Sequence, residues 1–187
     1  MKAIYQTSYS FYYDHKKPVN FVLLSDLHFS AKLKNAVLEK VLDWAQKQKP
    51  DYILLLGDLV HCLDELDDKA QLKRFTGFME RLSGIAPIIS ILGNHDLYRR
   101  DSAKKDCWRV CSPEVITSAL ADNPRITLLQ NAAYEDDKLY IYGFAPDSEY
   151  YCYDSAHGNK SSIFSPQVED KNILIHNFKQ IPAVKIH

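Results

Sequence analysis

Four apolar runs, each too short for a helix and each ending in a cluster of polar residues, constrain this chain more than any other feature. Phe21-Val22-Leu23-Leu24 runs into Ser25-Asp26-Leu27-His28, and Tyr52-Ile53-Leu54-Leu55-Leu56 runs into Gly57-Asp58. Pro87 to Leu92 leads to Gly93-Asn94-His95-Asp96, and Ile173-Leu174-Ile175 leads to His176-Asn177. Unbroken apolar runs of this length read as strands buried on both faces, the habit of parallel sheet. Helical patterns lie between them. From Ala31 to Lys49, Leu33, Val37, Val41 and Trp44 recur at spacings of three or four, and Pro50 stops the pattern. A second helix fits about Leu66 to Leu82, with Leu72, Phe75, Phe78, Met79 and Leu82 as its apolar face.

Further along, Ser112-Pro113-Glu114 reads as an N-cap followed by proline at the first helical position, opening a helix to about Ala121. Ile126 to Leu129 is a further strand. Ala132–Glu135 and Leu139–Tyr142, separated by Asp136-Asp137, predict a hairpin. Strands alternating with helices imply an α/β fold whose first strands are parallel. In such sheets functional groups collect beyond the carboxyl ends of the strands.

The 187 residues suffice for one compact domain, since a chain of this size buries roughly 70% of its unfolded surface. A net charge of −1 provides no basic field for nucleic acid or an anionic membrane. No apolar run approaches the roughly 20 residues that span a bilayer. Met1 to Lys17 lacks the apolar centre of a signal peptide, so the expected location is the cytoplasm. Cys62, Cys107, Cys111 and Cys152 then read as reduced thiols, without zinc-knuckle spacing.

Taken singly, Asp26, Asp58 and Asn94 read as helix caps and His176 as a satisfied core histidine. Taken together, four apolar strands delivering Asp/His, Asp, Asn/His and His to one edge are hard to explain by packing. Polar groups there are costly unless something satisfies them, and metal ions would do so. Carboxylate and amide oxygens with imidazole nitrogens suit divalent Mn, Fe or Zn. A carboxylate at the Gly57-Asp58 corner, where glycine permits close backbone approach, can bridge two ions roughly 3.5–4 Å apart.

Asp-Leu-His at 26–28, Gly-Asp-Leu-Val at 57–60, Gly-Asn-His-Asp at 93–96 and the strand-borne His176 resemble, in order, the motifs of bacterial calcineurin-like metallophosphoesterases. The resemblance extends from about Val19 to Asn177. It implies a β-sandwich flanked by helices (αββα), and two divalent ions, Mn²⁺ foremost with Fe or Zn²⁺ as alternatives. By motif, Asp26 and His28 would hold the first ion, Asp58 would bridge, and Asn94 and His176 would hold the second. His95 would serve catalysis beside the substrate, donating to a phosphate oxygen or protonating the leaving group. The implied reaction is hydrolysis of a phosphate mono- or diester, with a phosphorylated small molecule as partner.

Two departures stand out. Family members end with a Gly-His-x-His motif, and here the sequence runs to Val184-Lys185-Ile186-His187 without one. The expectation is a C-terminally truncated domain with an incomplete second sheet and three protein ligands per ion. The second departure is His61, where many relatives carry an acid that in some branches orients the catalytic histidine; Asp96 and Asp64 are the candidates to replace it. His61 itself reads as a packing or solvent-exposed residue. Arg99 and Arg100 read as a solvated face rather than a phosphate clamp, and Tyr150, Tyr151 and Tyr153 as either pocket or core edge. The competing function is a phosphoesterase-like fold kept as a binding scaffold without turnover.

Overall fold

A computed structural model describes residues 18–100, 108–144 and 184–186, with backbone alone at 108 and 184–186. The expected strand at 173–175, His176, the tyrosines of 150–153, Cys107 and Cys152 lie outside the described residues.

Four strands form a parallel sheet: β1 (Phe21–Leu24), β2 (Tyr52–Leu56), β3 (Ile88–Ile91) and β6 (Ile126–Leu128), in the order β1-β2-β3-β6. The register places Val22, Ile53, Ile88 and Ile126 in one row across the sheet. That row faces three helices: α1 (Asn35–Gln48), α2 (Lys69–Ile85) and α3 (Glu114–Ala121). Leu38, Val41, Leu42 and Ala45 of α1 and Phe75, Phe78, Met79 and Leu82 of α2 fill this core. The α/β reading with parallel first strands is therefore what the chain forms.

The opposite face carries a second core, in which Tyr52 and Ile89 meet Leu139 and Ile141. These last two belong to a three-stranded antiparallel sheet of β7 (Ala132–Glu135), β8 (Leu139–Gly143) and β9 (Val184–Ile186), in that order. The predicted hairpin is its first half. Asp136, in the turn, accepts hydrogen bonds from the hydroxyls of Tyr52 on the parallel sheet and Tyr134 on β7. One carboxylate thereby ties the two sheets.

The differences from expectation have local causes. The first helix begins at Asn35, not Ala31, because Arg74 of α2 bonds the carbonyls of Ser30 and Leu33 and holds that stretch as a turn. The second starts at Lys69, where Asp68 caps it by accepting from Ala70 and Gln71. A one-turn 3-10 helix, Leu63–Leu66, precedes it. The β1 and β2 runs are not buried on both faces throughout: Leu23 is 55% and Leu56 43% exposed, since the second core lies over Tyr52, Ile89 and Leu129. A small hairpin, β4 (Tyr98–Arg100) with β5 (Trp108–Val110), had no periodic signal to announce it. No helix among the described residues is long and apolar enough to cross a membrane.

Burial pushes the Asp136 carboxyl up, but the Tyr52 hydroxyl, the backbone N–H of Lys138, the Tyr134 hydroxyl and the N–H of Leu139 outweigh it, holding the group at about 2. A carboxyl depressed in the fold contributes stability above its unfolded pKa and loses it as pH falls through the folded one. The resistance of the wild type to urea should therefore fall between about pH 4 and pH 2, and the Asp136→Asn variant should show a flatter decline over that window.

Candidate metal centre

The polar clusters meet because the segments after β1 and β2 are joined by backbone hydrogen bonds beyond the strands themselves. The Asp26 N–H donates to the Gly57 carbonyl (3.2 Å), His28 to Asp58 (2.9 Å) and Phe29 to Leu59 (2.9 Å), and His61 returns one to Phe29 (3.0 Å). Phe29 is buried against Phe75, edge to face at 5.3 Å, and Arg74 lies 4.8 Å over its ring. His28 is thus anchored by the residue that follows it.

To make this join, Asp26, His28 and Asp58 all adopt left-handed backbone, with φ of 57°, 44° and 53°. Each such residue costs on the order of 1 kcal/mol, and Asp and His tolerate the region better than most. Three of the four sequence-proposed ligands within the described residues are the ones that carry this strain. Helix capping does not explain them. Asp26 leads into a β-bridge at Phe29, and Asn94 makes no side-chain capping bond.

Asp58 sits in a slot made by glycines. Gly57, at φ 88°, faces Gly93, and a Cβ on Gly57 would lie 2.5 Å from the Gly93 nitrogen. A Cβ on Gly93 would strike the Asp58 carboxylate. Within the slot Asp58 Oδ1 accepts from the His95 N–H at 3.0 Å, while Oδ2 lies 3.8 Å from His28 Nε2. His28 Nε2 is also 3.7 Å from Asp26 Oδ1. These gaps exceed hydrogen-bond lengths, yet they match ligand atoms arranged around an ion at about 2.0–2.2 Å from each. Asp26, His28 and Asp58 therefore fit a divalent ion by spacing, donor type and strain. Asn94 follows β3 by three residues and immediately precedes a 3-10 turn, and His176 lies outside the described residues.

His95 and Asp96 open a short 3-10 helix, His95–Leu97. Asp96 is fully buried, and its two oxygens accept from Val60 N (2.9 Å) and Gly93 N (2.8 Å), clamping the segments after β2 and β3. Burial pushes its carboxyl up to about 6; the N–H groups of Gly93, Val60 and Leu59 pull it down, and Asp58 raises it. Asp64 accepts from the Arg100 N–H. The oxygen that meets the imidazole of His95 is instead the carbonyl of His61, 2.7 Å from Nδ1. A carbonyl only accepts, so Nδ1 carries the proton and the lone pair sits on Nε2.

His61, read from sequence as packing or surface, lies beside the site. Its ring centroid is 5.9 Å from that of His28 and 5.6 Å from that of His95, and His28 and His95 are 4.5 Å apart. Burial and the two other imidazoles push its pKa below the ordinary histidine range. The signal that could have found it is its place three residues after Asp58, in the segment that bridges to Phe29. Arg99 pairs with Asp67, and Arg100 with Glu65 at 3.1 Å, so the guanidinium groups are engaged with the preceding turn.

Two substitutions test the slot and the clamp. Gly93→Ala should keep both apolar cores yet weaken any divalent-metal binding at Asp58, measured by calorimetry, by at least roughly tenfold. Asp96→Asn places a donor against backbone donors and should lower the unfolding free energy by about 1–3 kcal/mol in urea titrations.

The sequence pattern of the calcineurin-like phosphoesterases matches residues 19–181. Among curated proteins, the chain is 31% identical over 87 residues to phosphodiesterase YaeI of Escherichia coli (strain K12), covering 46% of this chain and 31% of that protein. It is 26% identical over 83 residues to the uncharacterized metallophosphoesterase Cj0846 of Campylobacter jejuni, covering 44% and 21%. The matched stretches span less than a third of the length of these relatives. With strand-end Asp, His and Gly-Asp motifs in the family's order and a match over most of its length, the chain belongs to the calcineurin-like phosphoesterase family.

Proposed function

We propose that the chain carries a metal-dependent phosphoesterase centre that hydrolyses a phosphate ester. The observation that carries this reading is the convergence of Asp26, His28 and Asp58 on one gap, at the cost of left-handed backbone at all three. In this reading Asp26, His28 and Asp58 hold one divalent ion, and Asp58, Asn94 and His176 the other; Mn²⁺ is the first candidate, Fe and Zn²⁺ the alternatives. Bound ions would supply positive charge for the phosphate and Lewis acidity to generate the nucleophile from water.

The residues' own parts follow from their positions. Asp58, with one oxygen toward His28 and the other accepting from the His95 N–H, would in this reading bridge the two ions. His95 keeps Nδ1–H on the His61 carbonyl, which fixes the ring and leaves Nε2 to take up a proton and, as imidazolium, deliver it at the leaving oxygen. The peptide carbonyl of His61 thus takes the orienting role that an acid fills in other branches. The three-stranded sheet on the far face corresponds in this reading to the second layer of an αββα sandwich. The name of the Escherichia coli relative favours a diester as the first substrate class to test.

The test is Mn²⁺-dependent hydrolysis of a chromogenic phosphodiester by the chain, with a chelator and Asp58→Asn as controls. Activity should vanish with chelator and fall by roughly a hundredfold or more in the variant, as expected when several kcal/mol of charge stabilisation is lost. Activity retained in both controls would overturn the assignment. A folded, metal-loaded chain that hydrolyses no ester would favour the binding scaffold instead.

A further inference from the structure

Beside the carboxylate-lined gap lies a second constellation of different chemistry. His28, His61 and His95, each from the segment after a different parallel strand, offer ring nitrogens that all lie within 4.8 Å of one another. The set is all nitrogen, whereas the neighbouring Asp26, His28 and Asp58 set is mostly carboxylate. Tetrahedral zinc at 2.0–2.1 Å from nitrogen holds its ligands about 3.3 Å apart, so the rings need to close by at most roughly 1.5 Å. All three are half-buried rather than locked in the core, and side-chain rotation can supply that movement. The His61 carbonyl on Nδ1 of His95 fixes a tautomer with its lone pair on Nε2, the outer hydrogen bond that metal-ligating histidines commonly make.

We propose that His28, His61 and His95 form an imidazole-only site for Zn²⁺ or a similar borderline ion, competing with the carboxylate site for His28. A neutral imidazole offers one lone pair, so His28 serves one ion at a time. Imidazole favours zinc, copper and nickel, while carboxylate favours manganese and magnesium. Zinc held by the three rings withdraws His28 from the carboxylate site and occupies the lone pair of His95. The identity of the ion then decides which arrangement forms. The competition for His28 rests on the proposed carboxylate site, whereas the three-imidazole site is tested by metal binding alone.

The experiment titrates the metal-free chain with Zn²⁺ and separately with Mn²⁺, by competition with a chromogenic chelator, in wild type, His61→Gln, His61→Phe and Asp26→Asn. Circular dichroism and thermal unfolding check that each variant folds. Replacing His61 should weaken Zn²⁺ by at least about tenfold, as loss of a direct ligand costs no less than loss of an outer-sphere partner, and leave the Mn²⁺ titration unchanged. Asp26→Asn should weaken Mn²⁺ more than Zn²⁺. X-ray absorption of the wild type with one equivalent of Zn²⁺ should show three imidazoles and needs no variant. Equal Zn²⁺ affinity with and without His61, or a zinc spectrum dominated by carboxylate oxygen, would overturn the proposal. Neither result bears on whether an ester is hydrolysed.

Discussion

The centre depends on two peptide backbones, at Gly57 and Gly93, passing closer than any side chain permits. That contact sets the distance between the ends of β2 and β3, and Asp58 fills the space left beside it. Its carboxylate receives the His95 N–H on one side and faces His28 on the other, so three segments are registered on one group. Asp96, on the buried side, repeats the device by accepting from Val60 and Gly93. A carboxylate in so dry a place is tolerable because backbone donors surround it.

The apolar cores supply the leverage for this arrangement. Three residues in left-handed backbone are unfavourable locally, and they persist because Phe29, Leu59, Val60 and Leu63, immediately beyond them, are buried almost completely. The hydrophobic segment after each polar cluster holds the cluster in a shape it would not adopt alone. Arg74 extends the same hold from α2, binding the carbonyls of Ser30 and Leu33 and lying over Phe29.

Much of this was legible in the sequence, for reasons specific to particular residues. The runs at Phe21–Leu24, Tyr52–Leu56 and Ile88–Ile91 announce strands because nothing in them is polar except Ser90, and Asp136-Asp137 between alternating segments announces a turn. Asp26, His28 and Asp58 could be grouped because parallel strands send their carboxyl ends to one edge. What stayed hidden depended on contacts between distant segments. The late start of α1 depends on a guanidinium from α2, and the exposure of Leu23 on how far the second sheet extends. The place of His61 depends on a β-bridge between Phe29 and Val60. The orientation of His95 was sought in an acidic side chain and is supplied by a peptide carbonyl, a group that every residue has and that no sequence pattern marks.

The turns that carry Asp26, His28 and Asp58 are joined peptide to peptide, and the clamp at Asp96 is likewise internal to the chain. These joins are made by the polypeptide itself, in contrast to small domains that collapse around their metal.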